Sequence, residues 1–126
     1  MRVGFDIVDV AEVEESIRIH AARYLERVYT PLELADCACR DGPPDARRLA
    51  TRFAAKEATL KAFGVSAEAV PWPAIELCED CALALTLTGA AAELARARGI
   101  SALSVSVTRT RHHAGAIVIA LNDSER

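Results

Sequence analysis

The chain has 126 residues, a formal net charge of −3, 52% hydrophobic residues and only 5% aromatics. That length supports one core with little to spare, so a single domain over residues 1–126 is expected. The negative balance excludes a global basic field for nucleic acid or an anionic membrane, and the scarcity of aromatics argues against a stacking platform for single strands. No apolar run approaches the roughly 20 residues that span a bilayer. The opening "MRVGFDIVDV" is too interrupted by acids for a signal peptide, so a cytoplasmic location is expected.

In chain order, "VGFDIVDV" predicts a strand with Val3, Phe5 and Ile7 on one face and Gly4, Asp6 and Val8 on the other. Asp6 is then a carboxylate in the middle of an otherwise hydrophobic strand. Residues from about 11 to 27 have helical spacing through Val13, Ile17 and Tyr24. Thr30, Pro31 and Glu33 form a capping box that opens a short helix over about 31–39, which ends near the loop "RDGPPD". A long helix follows, capped by Asp45 and closed by Gly64. "VPWPAIEL" and "CALALTLTG" read as two extended segments around a tight turn at "CED". An alanine-rich helix then runs to Gly99, and "ALSVSVT" and "AGAIVIAL" are strands joined by "RTRHH". "GAIVIAL" is apolar on both faces, as in a strand covered on both sides. The order β, three helices, ββ, α, ββ predicts an α+β fold, an antiparallel sheet packed against one long and several short helices.

On the long helix, Leu49, Phe53, Leu60 and Phe63 fall within an arc of roughly 80°. Glu57 lies about 40° beyond Phe53, and Lys61 about 40° further, at the edge of that stripe. A Glu-to-Lys pair one turn apart is the plainest reading and contributes only a few tenths of a kcal/mol. Asp6 and Glu57 are nevertheless both carboxylates set among apolar neighbours, and burial of a carboxylate is costly without a partner or a metal. Two carboxylates from different elements with a lysine one turn on also suit a magnesium–phosphate site, because Mg²⁺ leaves most of its positions to water and phosphate oxygens.

The chain resembles the holo-[acyl-carrier-protein] synthases, the small type of 4′-phosphopantetheinyl transferase. "GFDIVDV" looks like that family's opening G-x-D-I-V strand, and "ERVYTPLEL" is similar to its E-R-V-F/Y-T-x-x-E segment. "RFAAKEATLKAFG" matches R-F-A-A-K-E-A-x-x-K-A at every fixed position, and "LSVSVTRTRHHAGAIVIA" resembles the closing hairpin. The resemblance implies transfer of the 4′-phosphopantetheine arm of coenzyme A to a serine of an apo acyl carrier protein, with release of adenosine 3′,5′-bisphosphate. It implies that Asp6 and Glu57 hold Mg²⁺, or Mn²⁺ in its place, with Glu57 also helping to remove the serine proton. Lys61 would neutralise the transferring phosphoryl group, and Arg52, Lys61, Gly64, Thr108 and Arg109 would lie around the coenzyme. Arg18, Arg23 and Arg27, on one helix, would dock the carrier. A homotrimer with its active sites between subunits is implied as well.

Three positions depart from the family pattern. Arg109 stands where histidine, sometimes aspartate, is usual; arginine cannot act as a base but can grip a phosphate with two donors. Gly64-Val65-Ser66 replaces G-T-G, and Glu12 stands where an arginine commonly meets the acidic carrier. Glu12 would disfavour docking of a strongly acidic carrier and suggests a specialised one, from a polyketide or other secondary-metabolite pathway rather than fatty acid synthesis. Two alternatives remain open. One is a homologue that binds coenzyme A without transfer. The other is a structural module with zinc at Cys37, Cys39, Cys78 and Cys81, although C-x-C is a poor zinc spacing and free thiols fit a reducing compartment better.

Overall fold

The computed structural model describes residues 1–80 and 82–126. Strand β1 (Arg2–Asp9) leads directly into helix α1 (Val10–His20), followed by α2 (Ala22–Val28), α3 (Pro31–Asp36) and the long α4 (Ala46–Phe63). A single 3-10 turn at Trp72–Ala74 opens strand β2 (Ile75–Cys78), and β3 (Ala84–Leu87), α5 (Gly89–Ala97), β4 (Ala102–Arg109) and β5 (His113–Leu121) complete the order. The expected α+β architecture is present, with every strand pair antiparallel.

Two features differ from the sequence reading. The helix expected over 11–27 is broken at Ala21, whose φ of 48° ends α1 and starts α2. The break accompanies a contact that a propensity reading does not contain: the Tyr24 and Tyr29 hydroxyls lie 2.7 Å apart, with their rings edge to face. The strands also form two sheets rather than one, a three-stranded sheet in the order β1-β5-β4 and a separate β2-β3 pair.

Helix α4 lies between the two sheets and is buried along most of its length. Gly4 of β1 comes so close that a β-carbon there would lie 1.8 Å from the Ala58 carbonyl oxygen. Small side chains at Ala54, Ala58 and Ala62, all buried, make this approach possible. Beyond the Leu60 side of the helix, Leu60 packs with Val70, Ile75 and Ala91. α4 thus has two buried faces, and Glu57 and Lys61 lie in the seam between them. The caps expected from sequence hold its neighbours in place. Thr30 and Glu33 close a capping box on α3, the Asp45 carboxylate accepts from the Arg47 and Arg48 amides, and Gly64 ends α4 in the left-handed region at φ 74°.

The outer face of the three-stranded sheet is open. Val3, Phe5 and Ile7 are each more than half exposed, at 55%, 52% and 59%, and Ile117 beside them is exposed as well. Within one chain the inner face of β5 is buried, while its outer face is mixed, with Gly115 buried, Ile119 and Leu121 half-buried and Ile117 exposed.

Candidate active site

Asp6 lies on the inner face of β1, two residues beyond the close approach at Gly4, and is 8% exposed. Lys61 donates from Nζ to Asp6 Oδ1 at 2.7 Å and to the Phe5 carbonyl at 3.3 Å. Lys61 thus pairs with the strand carboxylate and not with Glu57 one turn back, as the simple helical reading had it. Asp6 Oδ2 is buried and has no hydrogen-bond partner. Glu57 is half-buried beside it. Burial, then the neighbouring Asp6 charge and a hydrogen bond that the protonated carboxyl makes to Asp6, push the Glu57 carboxyl up from 4.5 to about 7, with Glu12 adding to the shift and Lys61 opposing it.

Two carboxylates held so close that one resists ionisation and shares its proton with the other are a pair whose second charge a divalent cation would stabilise in place of that proton. The donor set is all oxygen, which fits Mg²⁺ or Mn²⁺. Glu57, Leu60 and Lys61 also line an open pocket of about 250 Å³ that continues past Val65 and Ser66 to Trp72. The two residues that replace the second glycine region of the family pattern therefore line this pocket, and Gly64 sets their direction by ending the helix.

A second charged cluster surrounds the other predicted residues. Arg52 has no exposure; its Nη1 donates to Glu79 Oε1 at 2.6 Å and to the Arg48 carbonyl at 3.2 Å. Arg109 donates from Nη1 to both Glu79 oxygens, at 3.0 and 2.9 Å, and to Thr51 Oγ1 at 3.1 Å. Thr108 faces the opposite side of the sheet, where a β-carbon at Gly115 would lie 3.2 Å from its Cγ2. Arg52 precedes Glu57 by five residues, roughly 140° around the helix. No hydrogen bond or ion pair among the described residues joins Arg52, Thr108 or Arg109 to Asp6, Glu57 or Lys61.

The three expected docking arginines do not share one helix. Arg18, on α1, forks onto Glu15 at 3.0 and 2.6 Å. Arg23 and Arg27, on α2, line a groove of about 550 Å³ with His20, Tyr24 and Glu26. Glu12 is exposed and lies near enough to Glu57 to raise its pKa, so it borders the carboxylate pair.

Sequence reasoning missed a buried ion pair. Lys56 Nζ lies 2.7 Å from Glu33 Oε1, with both side chains fully buried, and also donates to the Trp72 and Ile75 carbonyls. The same glutamate accepts from the Thr30 and Leu77 amides at 3.0 Å each. Its signal was available, because the helical projection places Lys56 about 20° from Leu49, inside the apolar arc. The pair fixes the segment that carries Trp72, one wall of the pocket. Glu79, by contrast, had no sequence signal; with Asp80 it is one of two adjacent acids just beyond β2.

Cys37 is buried, and burial pushes its thiol up to about 11; Cys39 is exposed and Cys78 half-buried, all three free. Cys81, the fourth member of the zinc quartet considered above, lies outside the described residues. Among the described residues no group of three or more His, Cys, Asp or Glu side chains could hold a metal ion. No helix of the described residues is long and apolar enough to cross a membrane.

The 4′-phosphopantetheinyl transferase superfamily model matches residues 2–118. The holo-[acyl-carrier-protein] synthase of Moorella thermoacetica is 36% identical over 121 residues, covering 94% of this chain and 92% of its own length. The chain belongs to the holo-[acyl-carrier-protein] synthase family. A second such synthase, from Chloroflexus aurantiacus, is 38% identical over 130 residues, with 93% of this chain and 95% of its own covered. The crystal structure of the Helicobacter pylori synthase in complex with coenzyme A matches with a TM-score of 0.80 at 27% identity, over 94% of this chain and 99% of that one. The chain is thus a 4′-phosphopantetheinyl transferase by family, and its enzymatic class follows from that membership.

Proposed function

We propose that residues 1–126 act as one transferase domain that moves the 4′-phosphopantetheine arm of coenzyme A to a serine of an apo acyl carrier protein, with Mg²⁺ required and adenosine 3′,5′-bisphosphate released. The observation that carries this reading is the close Asp6–Glu57 carboxylate pair, of which Glu57 lines the pocket together with Lys61. Asp6 and Glu57 would hold Mg²⁺, which supplies charge neutralisation for the pyrophosphate. Lys61, fixed by Asp6, presents a point charge to the transferring phosphoryl group. Glu57 accepts the serine proton.

Within one chain the Arg52–Arg109 cluster is not joined to this pair. A homotrimer would account for that separation: Arg52 and Arg109 of one subunit would meet the nucleotide end of the coenzyme bound at Asp6 and Glu57 of the next, whereas Thr108 lies on the opposite side of the sheet from Arg109. The exposed Val3, Phe5, Ile7 and Ile117 give such an assembly an apolar surface to bury. Arg23 and Arg27, with no carboxylate fork of the Arg18 kind, are the better candidates for carrier docking. Glu12 at the edge of the site favours a specialised carrier over a strongly acidic one.

Intact-protein mass spectrometry of an apo-carrier panel incubated with the protein, coenzyme A and Mg²⁺ tests the reading. A gain of about 340 Da, the mass of the transferred arm, is expected on at least one carrier. No gain on any carrier with coenzyme A binding intact would leave a binding-only protein. Fastest modification of the most acidic carrier would remove the specialised-carrier reading.

A further inference from the structure

Glu79 sits between two guanidinium groups and satisfies neither fully. Arg52 is wholly buried, yet its Nε and Nη2 have no hydrogen-bond partner among the described residues. The nearest other carboxylate, Asp36, stands 3.8 Å from Nη2, and its own Oδ2 is likewise without a hydrogen bond. Arg109 meets both Glu79 oxygens through the single nitrogen Nη1, not through the parallel two-nitrogen fork that arginine and carboxylate prefer. Arg48 and Asp80, 3.4 Å apart, and Thr51 complete the surround. Glu79, Asp36 and Asp80 together match the three guanidinium charges, but only the two Glu79 oxygens lie within hydrogen-bond reach of both Arg52 and Arg109, and they leave Arg52 Nε and Nη2 unmet. A phosphate monoester presents three oxygens and close to two negative charges, and it could meet them.

The site is reachable. The side chains of Arg109 and Glu79 are 31% and 16% exposed, and Glu79 is the first residue beyond β2, so its side chain can turn outward without unpairing the Cys78–Ala84 rung. Arginine at 109 also makes a resident counter-ion necessary. Two permanent cations facing one another, one wholly buried, are costly when unpaired.

We propose that Glu79 is a displaceable stand-in for an oxyanion: in the free chain it occupies the place between Arg52 and Arg109 that a ligand's phosphate monoester takes on binding. The identity of that ligand, the 3′-phosphate of coenzyme A or of its adenosine bisphosphate product, rests on the transfer reading above. The gate itself does not. Because the phosphate must displace a carboxylate, affinity is lower than two arginines alone would give, and product release is correspondingly eased.

Calorimetric titration of adenosine 3′,5′-bisphosphate and of inorganic phosphate into the intact protein tests this. Glu79→Gln should bind the bisphosphate about tenfold more tightly than the unsubstituted chain, and Glu79→Gln with Arg109→Gln should lose that gain. Unchanged or weaker binding by Glu79→Gln would overturn the proposal and make Glu79 an organiser of the arginines. If Glu79→Gln melts early, recovery of its melting temperature by phosphate but not by chloride of equal ionic strength supports displacement, and equal recovery by both salts overturns it. Carrier modification is scored separately. Transfer without a gain in anion affinity removes the gate and leaves the function standing, whereas a gain in a chain that modifies no carrier does the reverse.

Discussion

Glu57 is the residue whose chemistry depends most on its surroundings. Its carboxyl is raised from 4.5 to about 7, so the folded chain holds this proton more tightly than the unfolded chain does. For a raised carboxyl, the contribution to stability is present below the unfolded value and is lost as pH rises through the folded one. Metal-free protein should therefore lose melting temperature between about pH 5 and pH 8, and Glu57→Gln should flatten that part of the profile. Mg²⁺ competes with the same proton, so it should raise the melting temperature clearly at about pH 8 and little at about pH 5. A pH-independent Mg²⁺ effect would remove Glu57 from the metal site. Asp6→Asn and Glu57→Gln should each lower kcat for carrier modification by on the order of 10²-fold or more, with the circular dichroism spectrum unchanged.

At the scale of elements, the site depends on how closely β1 and α4 approach. Gly4→Ala sets a methyl against the Ala58 carbonyl and should cost about 3 kcal/mol, the upper end of ordinary overpacking, measured by denaturant unfolding. The Lys56–Glu33 pair ties α4, α3 and β2 together. Lys56→Met leaves a buried carboxylate without its cation and should destabilise the fold by about 3–5 kcal/mol. It should also impair carrier modification through the displaced Trp72 wall and not through the metal pair, so Mg²⁺ affinity should change little in the folded fraction. A strong loss of Mg²⁺ affinity would contradict that division. The motif blocks around Glu33 and Lys56 therefore carry architecture as well as chemistry.

For the whole molecule, the proposed homotrimer would cover the open outer face of the three-stranded sheet and join the two separate charged clusters. If the proposed homotrimer forms, light scattering should find trimers of the unsubstituted chain and monomers of Phe5→Asp, which should lose transfer while staying folded. Co-expressed Glu57→Gln and Arg109→Gln chains should regain transfer that neither has alone, because mixed assemblies contain sites with both residues intact. Absence of complementation would mean that one chain supplies the whole site.

The sequence by itself determined the kind of fold, the caps at Thr30, Asp45 and Gly64, the strand placing Asp6 among apolar neighbours, and the position of Glu57 and Lys61 beside a buried stripe. All of these follow from short-range periodicity and backbone chemistry, which the order of residues carries directly. Only the tertiary structure decided that Lys61 pairs with Asp6, that Lys56 pairs with Glu33, and that Glu79 stands between Arg52 and Arg109. It alone also divided the helix at Ala21 and the strands into two sheets. Each of these depends on which groups meet across a distance in sequence. Burial then makes the choice of ionic partner matter, because a charge removed from water is tolerated only where an opposite charge is brought to it.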